Sequence, residues 1–129
     1  MKNFYEYNLS DNLNKSLKGL RFNIPTEIQS KTIPIAINKQ DILANAETGS
    51  GKTAAYLIPL IHQISTIGKV SGLILTPTRE LAQQVSDVAK VLVGYKSNID
   101  IALIVGGASM NNQLRQLKKR PKIIIGTPG

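Results

Sequence analysis

Residues 46–53, Ala46-Glu47-Thr48-Gly49-Ser50-Gly51-Lys52-Thr53, decide how this chain is read. The apolar run 41–45 (Asp-Ile-Leu-Ala-Asn) enters the stretch, and residues 54–67 leave it with apolar side chains at helical spacing. The spacing predicts a buried strand, a loop and a helix. Gly49 and Gly51 have no Cβ, so the backbone can adopt positive φ and turn successive N–H groups toward one anion. A helix starting near Lys52 adds unpaired N–H groups and the positive end of its dipole. The pattern is that of a phosphate-binding loop, with Lys52 reaching the β- and γ-phosphates and the Thr53 hydroxyl on Mg²⁺. Ala46 stands where the general motif G-x-x-x-x-G-K-[ST] has its first glycine. The plainer alternative is an ordinary Gly/Ser turn before a helix.

The 129 residues are enough for one domain, or a piece of one, with a buried core, and 42% are hydrophobic. Sixteen Lys and Arg against eight Asp and Glu give a net charge of +8, which favours a polyanionic partner such as nucleic acid. Without cysteine there is no disulfide framework, Cys-based zinc site or thiol chemistry, and a reducing cytoplasmic setting is expected. Neither a signal peptide nor a membrane-spanning run is expected.

Upstream of the loop, Leu9, Leu13, Leu17 and Leu20 recur at helical spacing, predicting a surface helix over 9–20 capped by Ser10 or Asp11. Pro25-Thr26 starts a second helix, capped by Thr26 and interrupted by Pro34, with Gln29 in its first turn. Downstream, residues 71–76, 99–105 and 123–125 read as further strands, the turn 77–80 leads into a helix through about 93, and 111–119 read as a short helix. Leu81, Val85, Val88 and Leu92 are expected on the inner face of the first of these helices, and Leu114 and Leu117 on that of the second. Strands alternating with helices predict an α/β fold with a parallel, doubly wound sheet. Ligands of such sheets bind beyond the carboxyl ends of the strands. The turns 77–80, 106–107 and 127–129 fall there, offering N–H groups and one guanidinium to a sugar-phosphate backbone.

These stretches together resemble the DEAD-box family of ATP-dependent RNA helicases. Residues 22–29 (Phe-Asn-Ile-Pro-Thr-Glu-Ile-Gln) resemble its Q motif, with Phe4 near the place of the upstream aromatic. Residues 46–53 resemble motif I, in which alanine at the first position is usual. Pro77-Thr78-Arg79-Glu80-Leu81-Ala82 resembles motif Ia, Gly106-Gly107 the GG motif, and Thr127-Pro128-Gly129 motif Ib. Arg21 occupies a place where the family commonly has glycine.

The resemblance implies that residues 1–129 are the N-terminal portion of a P-loop, RecA-like ATP-binding domain, truncated before the Walker B strand, with the Q-motif segment at 1–37. ATP contacts would fall on Phe4, Phe22, Thr26, Gln29, Glu47, Thr48, Gly49, Ser50, Gly51, Lys52 and Thr53. Lys52 and Thr53 are the catalytic candidates, and Thr53 is the Mg²⁺ ligand. RNA-backbone contacts would fall on Pro77, Thr78, Arg79, Gly106, Gly107, Thr127, Pro128 and Gly129. A carboxamide offers a donor and an acceptor together, which suits the N6/N7 edge of adenine. Phe22 could stack on the base or pack in the core. Glu80 reads as an acid at a helix N-terminus, and His62 as a helix-surface residue. The family's Asp-Glu-Ala-Asp strand end, Ser-Ala-Thr motif and second RecA-like domain have no counterpart in these residues. The chain alone is therefore expected to bind nucleotide without hydrolysing it, and its open sheet could self-associate. The rivals are a different P-loop NTPase and a non-enzymatic, basic nucleic-acid-binding module.

Overall fold

Three short apolar segments meet as one parallel sheet in the computed structural model, which describes residues 3–94 and 98–128. They are β1 (Gly72–Leu75), β2 (Ile101–Ile104) and β3 (Ile123–Gly126), in the order β1-β3-β2. Gly72 lies opposite Ile123, and Ile101 lies opposite Ile123 on the other side, so all the strands end at one edge. Parallel neighbours need crossovers. These are supplied by α4 (Arg79–Val93) between β1 and β2 and by α5 (Met110–Lys118) between β2 and β3.

Side chains alternate across the sheet. Ile74, Ile101, Leu103, Ile123 and Ile125 take the face that joins the core formed with α4, α1 (Asp11–Gly19) and α3 (Lys52–Thr66). Leu13, Leu57, Ile58, Ile61 and Leu92 are wholly or almost wholly buried there, each adding roughly 1.5–3 kcal/mol of hydrophobic stabilisation. On the other face of β1, Leu73 and Leu75 are exposed.

Local chemistry sets most helix starts. Thr26 caps α2 (Glu27–Ile37) in a full capping box: its hydroxyl accepts from Gln29 N, while Gln29 Oε1 accepts from Thr26 N. Thr78 caps α4 by accepting from Leu81 N, and Ser109 caps α5 by accepting from Asn112 N. Ser10 precedes α1 but makes no side-chain cap bond. Glu80 lies in the first turn of α4, as expected.

The sequence expectations need correction at several places. Residues 41–45 form no strand; Leu43 is fully exposed. A strand exists only through its ladder, and none of the described strands runs beside this segment. Pro34 does not interrupt α2, which continues to Ile37; α3 likewise contains Pro59. The two helices pack against each other, and Gln63 Nε2 donates to Ala36 O at 2.8 Å near the end of α2, which helps offset the cost of the prolines. In α4 the buried stripe is Ala82, Val85, Ser86, Ala89, Leu92 and Val93, while Leu81 and Val88 are partly exposed. Small residues permit the close approach of this helix to the sheet and to α1. In α5, Leu114 and Leu117 point outward and Gln113 is the buried residue. The helix over 9–20 is also no mere surface element, since Leu9, Leu13 and Leu17 belong to the core.

Candidate functional site: a phosphate loop and three strand-end turns

The phosphate loop has the backbone its glycines predict. Gly49 has φ 83° and Gly51, the residue capping α3, has φ 91°. Both conformations are ones that L side chains rarely adopt. At Gly51 a side chain would also have no room. An added Cβ would lie 2.5 Å from Gln29 Nε2 and 2.9 Å from Thr26 Oγ1, whereas at Gly49 it would meet nothing within 4 Å. The first N–H groups of α3 have no carbonyl one turn back, so they remain available to an anion.

The loop's cation has a partner within the loop, while one of its hydroxyls has none. Lys52 Nζ donates to Ala46 O at 2.6 Å, folding the ammonium back over the loop it belongs to. Ser50 Oγ is buried without a partner, and Ser50 N donates to Glu47 O at 3.2 Å. Burial raises the pKa of the Tyr56 phenol, and the Thr53 side chain opposes the rise. Glu47 and Thr48 are exposed. Positive-φ glycines, an ammonium that donates to a carbonyl, an orphan hydroxyl and a helix N-terminus together fit a phosphate chain. For a divalent cation the fit is limited to one donor, the Thr53 hydroxyl, because no cluster of acidic or histidine ligands occurs among the described residues. Mg²⁺ habitually keeps several waters, so one protein oxygen is compatible with it.

Gln29 joins the two predicted nucleotide segments. It is 3% exposed, and its Nε2 donates to Gly51 O at 3.2 Å while its Oε1 holds Thr26 N at 2.9 Å. The glutamine is thus a brace between the cap of α2 and the loop residue with the most demanding φ. One donor and one acceptor position of its amide are occupied, and one of each remains. A cavity of about 590 Å³ lies alongside, lined by Thr26, Glu27, Ile28, Lys31, Asn45, Ala46, Glu47 and Ser50. A larger, more apolar cavity of about 690 Å³ opens between α2 and α3 beside residues 39–44. The smaller one is lined by Ala46, Glu47 and Ser50 of the loop, and the larger one by Lys52.

The predicted aromatics separate. Phe4 is 2% exposed, sealed into the core by a short 3₁₀ turn (Phe4–Tyr7), so it is not positioned to touch a ligand. Phe22 is 39% exposed, and its ring stacks on that of Phe4 with centroids 6.2 Å apart. Phe4 backs Phe22, and only Phe22 presents an open face. Arg21 has φ 60°, which explains why glycine suits that position.

The turns after β1, β2 and β3 stand along one edge of the sheet. Pro77 and Thr78 lead into α4, and Arg79 Nη1 donates to Gly106 O at 3.1 Å. Gly107, with φ 82°, leaves space for that guanidinium, since a Cβ there would lie 2.6 Å from Nη1. Thr127 N donates to Ile104 O, fixing the turn after β3 beside the turn after β2, and Pro128 is exposed. Gly129 lies outside the described residues.

Two further residues hold roles that their sequence neighbourhood does not mark. His62 is no free surface residue: its Nδ1 accepts from Ser10 N at 3.1 Å, tying α3 to the start of α1, and burial lowers its pKa. Gln113 threads the turn after β2, with Oε1 accepting from Val105 N at 2.8 Å. Both sets of bonds depend on distant backbone, which no local pattern announces.

A profile of the DEAD/DEAH box helicase family matches residues 26–129. The chain belongs to this family. It is 50% identical to the ATP-dependent RNA helicase DRS1 of Lodderomyces elongisporus, over 99% of this chain and 19% of that protein. It is 42% identical to the ATP-dependent RNA helicase CshA of Listeria monocytogenes, over 100% of this chain and 25% of that one. Its fold matches the crystal structure of a DEAD box protein from the hyperthermophile Methanococcus jannaschii with a TM-score of 0.89 and 46% identity, over 98% of this chain and 35% of that chain. The chain thus spans between about a fifth and a third of the length of these relatives. RecA-like architecture and family membership agree with the reading from residues 22–29, 46–53, 77–82, 106–107 and 127–129.

Proposed function

We propose that residues 1–129 are the ATP-binding and RNA-backbone-binding part of an ATP-dependent RNA helicase that couples ATP binding and hydrolysis to local duplex unwinding. The observation that carries the reading is the Gln29 Nε2 to Gly51 O bond, which joins residues 22–29 to the phosphate loop and so supports a shared nucleotide site. An adenine base beside Phe22 would meet the remaining donor and acceptor of Gln29. The triphosphate would lie on the loop and draw Lys52 away from Ala46 O, replacing a carbonyl partner by a charged one. Thr53 would hold Mg²⁺, which neutralises charge on the phosphates when bound.

Along the sheet edge, Arg79 and the N–H groups of the 106–107 and 127–128 turns would take RNA phosphates, giving binding that ignores base sequence. Hydrolysis needs a carboxylate for the metal and water and a cation for the transition state, which we assign to other parts of the parent protein, including a second RecA-like domain. The exposed Leu73 and Leu75 on the open edge of the sheet favour self-association of residues 1–129 in isolation.

RNA filter binding with and without ATP separates this reading from a purely nucleic-acid-binding module. The reading expects ATP to change RNA retention and Lys52→Ala to abolish the change. Retention indifferent to ATP would favour the binding module instead.

A further inference from the structure

We infer that Gln113 is a positioning residue that holds the Gly106-Gly107 turn in the shape it offers to the RNA backbone; the inference rests on the RNA-binding reading above. Among the described residues β2 pairs with β3 on one side only, so the N–H groups of Leu103 and Val105 face outward with no described strand to receive them. Unpaired edge donors are costly when covered and adhesive when bare. Here two glutamines of α5 accept them, Gln116 Oε1 from Leu103 N at 2.9 Å and Gln113 Oε1 from Val105 N at 2.8 Å. Three residues along a helix rise about 4.5 Å and two along a strand about 6.6 Å, a mismatch that long, flexible glutamines can take up.

The two glutamines are chemically alike but differ in reach. The described bond of Gln116 ends on the strand. Gln113 spans the turn: its Oε1 holds the last residue before Gly106, and its Nε2 is shared between Ala108 O and Ser109 O, both at 3.4 Å, just after Gly107. It is 7% exposed, so solvent does not compete for these bonds. On the opposite side the same turn is gripped by Arg79 through Gly106 O. Gly107 sits at φ 82°, a conformation with no side chain of its own to hold it. The turn is therefore clamped between a charged residue that also faces solvent and a buried amide that does not. Gln113 acts on RNA only through the direction in which it fixes the Gly106 and Gly107 N–H groups.

The matched pair Gln113→Met and Gln116→Met tests this, since each keeps side-chain volume and removes an edge bond. Affinity for a fluorescent single-stranded homopolymer RNA, ATP affinity, thermal stability and amide exchange at Gly106 and Gly107 would be measured on residues 1–129. Both variants should keep ATP affinity, and Gln113→Met should lose the more stability because it removes the bonds to the turn as well as the edge bond. Gln113→Met alone should weaken RNA by about three- to tenfold, the value of one lost hydrogen bond, and speed exchange at Gly106 and Gly107. Should Gln113→Met not fold, Gln113→Glu with Gln116→Glu as its charge control carries the same comparison, because glutamate keeps the acceptor and loses the donor to the turn. Unchanged RNA affinity in the Gln113 variant, or an equal loss in the Gln116 variant, overturns the inference. If Arg79→Ala weakens RNA and Gln113→Met does not, the inference fails alone; if the unmodified chain binds no RNA, it fails together with the RNA-binding reading.

Discussion

Replacing Gly51 with alanine should damage the chain far more than the same change at Gly49, although both glycines have positive φ. Each substitution forces an L residue into a left-handed conformation, at about 1–2 kcal/mol. At Gly49 the cost stops there, because an added Cβ meets nothing within 4 Å. At Gly51 the Cβ falls 2.5 Å from Gln29 Nε2 and 2.9 Å from Thr26 Oγ1, so the buried amide of Gln29 must move. Moving it breaks the bond to Gly51 O and strains the capping box with Thr26 N, adding about 1–3 kcal/mol for a buried polar group left unsatisfied. Gly51→Ala should thus cost roughly 2–5 kcal/mol in total, and Gly49→Ala roughly 1–2. Urea unfolding followed by circular dichroism measures both, and a Gln29→Ala background shows how much of the difference runs through the amide. Equal losses for the two glycines, or a Gly51→Ala cost that Gln29→Ala leaves untouched, would refute the claim that Gln29 braces the loop.

Arg21→Gly should stabilise the chain by about 1 kcal/mol, visible as a higher urea midpoint, because φ 60° suits glycine; a lower midpoint would show that the arginine side chain contributes more than its backbone costs. Arg79→Ala should weaken RNA and lower the salt slope of binding by about 0.7 for each phosphate the guanidinium no longer neutralises; an unchanged slope would place the phosphate-binding cations elsewhere. His62 must be neutral at Nδ1 to accept from Ser10 N, and burial lowers its folded pKa below the ordinary 6.5. The unfolded chain therefore binds the proton first, and this stability, intact above the unfolded value, is lost as pH falls from there through the folded value. His62→Gln should flatten that part of the stability curve, and a curve of the same shape in the variant would show that the histidine is not its source.

What is legible in the sequence is local. Gly49, Gly51 and Thr26 announce their roles because positive φ and N-capping are settled within a few residues. The apolar run 41–45 imitates a strand because apolarity marks a strand's side chains, while the strand itself needs a neighbour to pair with. On α4 the sequence places Val85 and Leu92 inward, as the fold does, but a reading that weights leucine over alanine, serine and glutamine misses the rest of that face and the inward face of α5. Ala82, Ser86 and Ala89 are buried where the helix approaches closely, and Gln113 is buried because the edge of β2 needs acceptors. Family resemblance names Gln29, but only the fold shows its amide braced between Thr26 and Gly51. Phe4 resembles a ligand contact in sequence because an isolated aromatic gives no sign of which ring it will support.

Calorimetric titration of residues 1–129 with ATP and with GTP in the presence of Mg²⁺ asks whether the Q-motif segment and the phosphate loop form one adenine-nucleotide site. ATP should bind more tightly by about five- to a hundredfold, the range expected when a buried amide finds or loses its hydrogen-bond partner, and Lys52→Ala should remove binding of both. Equal affinities for ATP and GTP, or ATP binding that survives Lys52→Ala unchanged, would contradict a single site built from Gln29 and the loop.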